Sequence, residues 1–405
     1  MAFAPVDEQL ATILRGSAQI ETHADLKRKL ERSYQTGTPL RIKYGIDPTG
    51  FDVHLGHTVP LRKLRQFQLL GHTAVLILGN ATAAVGDPSG RDEARKGLTP
   101  EQIEINAKTY LTQIAKVIDI TKAEVRPNGD WFNRWGFTDV LKLLGKTTVQ
   151  RMLERDDFSK RFRETMMPIY LHECLYPLMQ GHDSVEIKAD VELGGTEQLF
   201  NLMVGRDLQR DAGQEAQVCL TMPILRGTDG EKKMGKSVGN YIGLNEAAKE
   251  QFGKTLSIPD HVMKEWFELL TDRPTSEIEA LLAGHPMEAK KTLAADIVTF
   301  YHGAEAATMV RKDWDTQFSA KKDPDNIDEV TIAASEVVNG QVAAIKLLVI
   351  AKLVASNGEA RRKIEEGAFN YGAEKTKPAD SKASVDVTDG LVMRLGRKIV
   401  RVRVG

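Results

Sequence analysis

Between Leu40 and Leu78 the chain reads strand, helix, strand, and this order limits the possible folds more than any other feature. Leu40, Ile42, Tyr44 and Ile46 alternate with Arg41 and Lys43, the period-two pattern of a half-buried strand. Asp47-Pro48-Thr49-Gly50 then supplies turn residues. From about His57 the apolar positions Leu61, Leu64, Phe67 and Leu69 fall at helical spacing, and Gly71 ends the run. Thr73 to Leu78 is a short apolar stretch of the kind buried on both faces. Such a unit closes as a βαβ crossover. The expected fold class is therefore α/β, with a parallel, Rossmann-like sheet whose ligands bind beyond the carboxyl ends of its strands.

The rest of the chain suggests further layers. A helix is expected over residues 101–118, and 147–180 reads as mostly helical with a charged face. Val185 to Leu193 alternates throughout, as a strand with one wet face would. Residues 244–316 read as all-helical and are followed by the polar stretch Lys321 to Asn326. A helix near 341–354, another over 356–366 and a strand at 399–404 complete the pattern. At about 150 residues per domain, 405 residues suggest two to three domains. The boundaries expected are a catalytic domain at 1–243 with an insertion near 130–180, a helical domain at 244–320, a linker at 321–335 and a small α+β module at 336–405.

Composition narrows the class. With 27% charged and 41% hydrophobic residues the chain is globular, not a disordered tail. No apolar run approaches the roughly 18 residues of a membrane span, and the start lacks a basic segment leading into an apolar one, so a cytoplasmic protein is expected. Two cysteines, Cys174 and Cys219, cannot build a disulfide framework or a four-cysteine zinc site. The net charge of −1 conceals an uneven distribution: 336–405 holds 13 Lys/Arg against 8 Asp/Glu. A basic tail on an acidic body points to a polyanionic partner.

Several short motifs stand where ligands would bind. His54-Leu55-Gly56-His57 opens the crossover helix, where orphan N–H groups attract phosphates and Gly56 leaves room for a purine to lie on backbone. The plainer alternative is one capping and one core histidine. Gly86-Asp87-Pro88-Ser89-Gly90-Arg91 follows the second strand and offers a carboxylate, although alone it is a turn. Lys232-Lys233-Met234-Gly235-Lys236-Ser237 is a glycine-bearing lysine loop suited to a leaving pyrophosphate, or simply a solvated loop. Tyr176, Gln180 and Asp183 share a helical face that could hold a small zwitterion with a polar tip. A satisfied buried network explains them as well, and Pro177 threatens the helix. Arg361, Arg362 and Lys363 form a basic cluster on a short helix of the tail.

Taken in order, GIDPTGFDVHLGHT (45–58), GDPSGR (86–91), LYPLMQGHDSV (175–185), KADVELGGTEQ (188–198) and KMGKSVGNYIG (233–243) resemble the class I aminoacyl-tRNA synthetases, in their bacterial tyrosyl branch. The resemblance implies activation of L-tyrosine by ATP, with Mg²⁺, to tyrosyl-adenylate and pyrophosphate. The tyrosyl group would then pass to the terminal ribose of tRNA(Tyr). By motif, His54, His57 and Gly56 would contact ATP, with Thr49 near its terminal phosphate. Lys233 and Lys236 would close over the pyrophosphate, assisted by Arg91 and Arg95. Gly45 and Asp47 would line the adenylate pocket, and Asp190, Gly194 and Gly195 would lie near the ribose. Asp87, Tyr176 and Gln180 would hold the ammonium, Gln198 would lie near the carboxyl, and Asp183 would accept from the phenol. The tail, with Ser356, Glu359 to Arg362 and Gly367, is similar to a small RNA-binding module, and a homodimer is implied.

Four departures qualify the carry-over. Glu197 stands where the branch usually has Asp, and Lys43 where one subgroup has a tyrosine touching the substrate hydroxyl. Gly235 replaces a serine, and Asn80-Ala81 replaces an acidic–aromatic pair. The alternatives are an adenylate-forming enzyme with another substrate, such as tryptophan or a small acceptor, and a non-catalytic RNA-binding relative. Intact HLGH and KMGKS argue against the last.

Overall fold

The computed structural model describes residues 3–48, 53–87, 99–316, 327–396 and 398–405, and the chain divides into two units, Met1–Thr308 and Met309–Gly405. In chain order the first runs Val6–Leu14 (α1), Gln19–Glu21 (β1), His23–Thr36 (α2), Arg41–Ile46 (β2), Leu55–Leu69 (α3), Thr73–Leu78 (β3), Thr82–Val85 (α4) and Pro100–Ile114 (α5). Glu124–Pro127 (β4), Gly129–Phe132 (α6), Phe137–Leu144 (α7), Val149–Met152 (α8), Asp156–Arg163 (α9) and Leu171–Ile187 (α10) follow. Val191–Gly195 (β5), Leu199–Asp211 (α11) and Val218–Met222 (β6) complete the sheet region. Helices Ala248–Leu256 (α12), Met263–Leu270 (α13), Thr275–Leu282 (α14) and Pro286–His302 (α15) come last, and Ala304–Trp314 (α16) runs across the division between the units.

The strands form one sheet in the order β1-β6-β5-β2-β3-β4, parallel throughout except where β1 meets β6. Strand order reverses at β2, which has β3 on one side and β5 on the other, so a crevice opens at the carboxyl ends of β2 and β5. Alternate residues of β3 serve opposite layers. Ala74 and Leu76 join the core under α3 with Leu61, Leu64 and Phe67, while Val75 and Ile77 pack with Trp131, Ile187 and Ala189. On that second face α10 crosses α11 at two glycines; a Cβ on Gly181 would lie 3.0 Å from the Gly205 amide nitrogen.

The α/β class and the βαβ unit are as expected, but three local readings change. The strand expected at 185–193 is instead the end of α10, a left-handed residue at Lys188 and then β5. Apolar alternation there spans a helix end and a strand start, which share no common face. Nor does Lys43 face water on β2: it is fully covered by α10, as is Glu192 on β5, and the two charges pair with each other. Pro177 does not end its helix, and α10 runs through it to Ile187. Among the described residues no helix is long and apolar enough to cross a membrane.

The second unit contains Asp328–Ile332 (β7), Gln341–Ala343 (β8), Ala344–Ile350 (α17), Asn357–Glu365 (α18), Phe369–Tyr371 (β9), Ser384–Asp386 (β10), Val392–Leu395 (β11) and Lys398–Val404 (β12). Its sheet order is β7-β12-β11-β9, with β8 and β10 paired separately, around Leu347, Leu348, Phe369, Val385, Met393 and Val402. β7 pairs in parallel with β12, so the small module begins near Asp328, inside the stretch read as linker. That pairing is invisible locally, because its partner lies some seventy residues on. Likewise the helix expected at 341–354 starts with the strand β8.

Gly181→Ala is expected to lower stability by about 1–3 kcal/mol through overpacking of the α10–α11 crossing, read as a drop in thermal midpoint. An unchanged midpoint would mean the crossing has slack to absorb a methyl.

Candidate active site

A cavity of about 520 Å³ opens at the carboxyl end of β2. Tyr44, Gly45, Ile46 and Asp47 supply its β2 wall, His57 and Leu61 of α3 and Tyr176 of α10 its sides. Asp87, Glu197, Gln198, Lys233 and Gly235 add a polar rim, with Tyr110 and Ile114 of α5 opposite. Topology explains much of this gathering: Asp47 follows β2, His57 opens α3, and Glu197 and Gln198 follow β5, where the backbone leaves the sheet, while Tyr176 and Tyr110 reach in from the bodies of α10 and α5.

Asp47 organises the floor. Its carboxylate accepts from the Tyr176 hydroxyl at 2.9 Å and from Thr82 Oγ1 at 2.7 Å, while Thr82 Oγ1 accepts from Asn128 Nδ2 at 3.1 Å. At Gly79, just past β3, any Cβ would collide with the Asp47 carboxylate, so only glycine admits this arrangement. Burial and the carboxylates of Asp47 and Asp87 hold the Tyr176 phenol well above its ordinary value, so it remains a donor. Gln198 Nε2 donates to Asp87 Oδ2 at 3.3 Å, and its Oε1 accepts from the Gly195 amide at 3.1 Å.

The two histidines stand with ring centroids 3.8 Å apart. His57 Nδ1 accepts the His54 backbone N–H at 3.2 Å, which leaves the proton on Nε2. Burial, with help from the neighbouring lysine charges, lowers His54 to about 3 and His57 to about 4. Both imidazoles are therefore neutral at physiological pH and act as dipolar donors, not cations. The space beside Gly56 is taken by the His54 ring, since a Cβ there would lie 3.1 Å from it. Lys233 pairs with Glu197 at 2.9 Å, holding the lysine loop against the segment after β5. Lys236 lies outside the cavity wall but close enough for its charge to lower both histidines.

Behind Tyr176, Asp183 is buried and accepts from Trp131 Nε1 at 3.0 Å and Asn128 Nδ2 at 3.3 Å. Burial pushes its carboxyl up to about 7. Gln180 is likewise engaged, with Nε2 on Glu192 at 3.0 Å and Oε1 on Asn201 at 2.9 Å. Neither side chain lines the cavity wall, so both stand beneath it as a buried polar layer. Gly194 and Gly195 end β5 on the cavity side, and a Cβ on Gly194 would meet the Gln198 amide oxygen at 2.9 Å.

Asp190 does not belong with these residues. It precedes β5, at the opposite end of the sheet, where it binds the Arg41 amide at 3.0 Å and pairs with Arg32 at 2.7 Å and Lys29 at 3.3 Å. The four residues of strand from Val191 to Gly194 separate it from the site by roughly 13 Å. Thr49, Arg91 and Arg95 lie outside the described residues. In the second unit Arg361 and Arg362 are exposed on α18, and Lys363 pairs with Glu366 at 2.7 Å. The sequence reading missed Tyr44, Tyr110, Gly79, Asn128 and Trp131. Tyr44 was legible as a strand residue, but nothing local marks the other four.

The folded chain protonates Asp183 near pH 7 and the unfolded chain near 4, so between these values the native state binds more protons and stability falls as pH rises. Asp183→Asn should remove that slope, losing roughly 2–4 kcal/mol less than the parent between pH 4 and 8 in melts across a pH series. Parallel curves for the two proteins would disprove the assignment.

Residues 35–319 match the family described as tRNA synthetases class I (W and Y). Over 404 residues the chain is 50% identical to the tyrosine--tRNA ligase of Symbiobacterium thermophilum, covering 98% of each. It is 47% identical over 399 residues to that of Geobacter sulfurreducens, covering 97% of this chain and 98% of the relative. Among solved structures it is similar in fold to a C-terminally truncated mitochondrial tyrosyl-tRNA synthetase of Aspergillus nidulans (TM-score 0.62, 23% identity, 76% of this chain and 92% of that one). The tyrosyl-tRNA synthetase of Archaeoglobus fulgidus complexed with L-tyrosine gives TM-score 0.60 and 24% identity, over 76% of this chain and 100% of that one. A cleft at the strand reversal, HLGH on its helix, and near-complete alignment with these ligases together show that the chain belongs to the tyrosine–tRNA ligase family of class I tRNA synthetases.

Proposed function

We propose that the chain joins L-tyrosine to tRNA(Tyr) through tyrosyl-adenylate, with ATP as its Mg²⁺ complex the second substrate. The observation that carries this reading is the cavity itself. One end offers carboxylates and a phenol (Asp47, Asp87, Tyr176) for an ammonium, above a buried Asp183 for a phenolic hydroxyl; the other offers His57 and Lys233 for phosphates. The tyrosine carboxylate is ionised at pH 7 and attacks the α-phosphorus without help from a base. The protein's contribution is alignment of nucleophile, phosphorus and leaving group, and compensation of charge on the departing pyrophosphate. The neutral His57 Nε2–H serves as a phosphate donor in a site where water is scarce. Lys233 leaves Glu197 and joins Lys236 on the pyrophosphate, with Thr49, Arg91 and Arg95 assisting. Glu197, freed of Lys233, can accept from the ribose hydroxyls, with the backbone of Gly194 and Gly195 alongside.

The transfer step and its partners extend the same reading. Arg361, Arg362 and Lys363 of the small module bind the tRNA backbone, in the cytoplasm where that RNA is charged. Two copies of the chain pair through the insertion, where Phe137, Val149, Phe162, Met166, Tyr170 and Leu171 are all more than half exposed. Apolar side chains so exposed in one stretch suit a protein partner better than solvent.

Purified protein should exchange pyrophosphate into ATP when given tyrosine, and none of the other nineteen amino acids should support it comparably. His57→Ala and Lys236→Ala should each slow exchange about 10²–10³-fold with little change in tyrosine affinity, as expected for groups that act on the transition state. Loss of tyrosine binding instead would reassign them to the amino-acid pocket. Replacing Arg361 and Arg362 together by alanine should weaken tRNA binding and reduce the slope of log affinity against log salt by about 2, sparing exchange. An unaltered slope would remove the tail from the RNA-binding surface.

A further inference from the structure

Beneath the cavity lies a lysine for which the reaction has no direct use. Lys43 of β2 is fully buried; its ammonium donates to Gln180 O at 2.6 Å and Ser184 Oγ at 2.8 Å, and pairs with Glu192 Oε1 of β5 at 2.9 Å. Those two α10 partners bracket Asp183. Glu192 accepts in turn from Gln180 Nε2, from Ser184 Oγ at 3.1 Å and from Gln217 Nε2. Asn201 holds the other end of the Gln180 amide and is itself held by Arg155 at 3.0 Å. The glycine at 205 leaves the room, since a Cβ there would stand 3.3 Å from both Glu192 Oε2 and Ser184 Oγ. Stability alone does not account for such a pair, because two buried charges recover at best their own desolvation cost and well-packed apolar residues often do better.

The surroundings of Asp183 suggest what else it does. Asn128 and Trp131 reach it from beyond β4, Tyr176 from its own helix with Asp47 and Asp87 further out, and Glu192 from β5. On the outer side His182 pairs with Glu186 at 3.0 Å, with Lys146 nearby. Lys43 is the strongest influence keeping the Asp183 proton off, against burial and Glu192, which keep it on.

We propose that Lys43 is a specificity-determining positioning residue: through its charge and its two bonds to α10 it keeps Asp183 ionised and fixed, so that the site demands a ligand with an O–H donor. An ionised carboxylate only accepts hydrogen bonds. A phenyl ring placed against it leaves a desolvated anion unpaired, which is costly, whereas a protonated Asp183 tolerates the same ring far better. Discrimination between tyrosine and phenylalanine therefore follows the ionised fraction of Asp183, and Lys43 sets the pH at which that fraction collapses. This inference rests on the tyrosine reading above.

Pyrophosphate exchange driven by tyrosine and by phenylalanine, from pH 6 to 9, tests it as a ratio of kcat/KM values, in which ionisations common to both substrates cancel. In the parent protein the ratio should climb through about pH 7 and level off. Lys43→Met should lower the ratio at pH 7.5 by about threefold and displace the climb upward by about one pH unit, while Lys43→Arg keeps most of the parent's behaviour. A lysine that only braced the fold would reduce both substrates together at every pH. If Lys43→Met leaves Glu192 unpaired and the protein insoluble, the double variant Lys43→Met/Glu192→Gln removes both charges and should displace the climb in the same direction but by less, because Glu192 acts on Asp183 in the opposite sense and more weakly. A flat ratio in the parent, or a parent-like profile in whichever variant folds, overturns the proposal. Failure of the parent to exchange with tyrosine at all would instead sink the function proposed above.

Discussion

Two charges held out of water, Lys43 and Glu192, sit where β2, β5 and α10 meet, and the arrangement of the active cleft depends on their staying paired. Adjacent parallel strands on either side of the order reversal carry them, and the crevice opens at the ends of those same strands. Removing one partner strands the other in a low-dielectric interior, at a cost of several kcal/mol. The pair therefore joins the two strands at the level of the crevice floor. Lys43 and Glu192 both bond to Gln180 and Ser184, which ties β2 and β5 to the stretch of α10 where Tyr176 meets Asp47 and Asp183 turns inward.

Above that layer the cleft is made of groups that align and compensate charge. The imidazoles are neutral because burial and adjacent lysines both disfavour a second cation. The Tyr176 phenol keeps its proton for the mirror-image reason, having carboxylates for neighbours. Such poise suits a reaction whose nucleophile arrives already ionised, since nothing need deprotonate it. The ion pair between Lys233 and Glu197 adds a resting contact for the lysine loop, and the glycines at 79, 194 and 195 let backbone and carboxylates approach more closely than any Cβ would permit.

Particular elements show how much of this could be read in advance. The run Thr73 to Leu78 became β3 at those limits, because an apolar stretch between Gly71 and a turn has few other uses. The motif residues Asp47, His57, Asp87, Gln198 and Lys233 line one cavity, and the first three stand in segments whose positions after strands or at a helix start had marked them. Asp190 misled because it belongs to the same motif, 188–198, as Gly194 and Gly195, yet a strand carries its two ends in opposite directions. The alternation from Val185 misled because a helix end running into a strand can imitate a two-residue period. The small module's first strand escaped notice for want of its distant partner.

Periodicity and glycine placement determined the α/β class and the crossover unit, and short motifs marked the family and part of the cleft wall (Asp47, His57, Asp87, Tyr176, Gln198 and Lys233), because these depend on neighbours within a few positions along the chain. Tertiary structure alone decided that Lys43 faces Glu192 across some 150 residues, that Asn128 and Trp131 satisfy Asp183, and that Asp190 points away. Burial and pairing are set by what the folded chain brings alongside a group, and a charged residue reads the same in the sequence whether water or another charge will surround it.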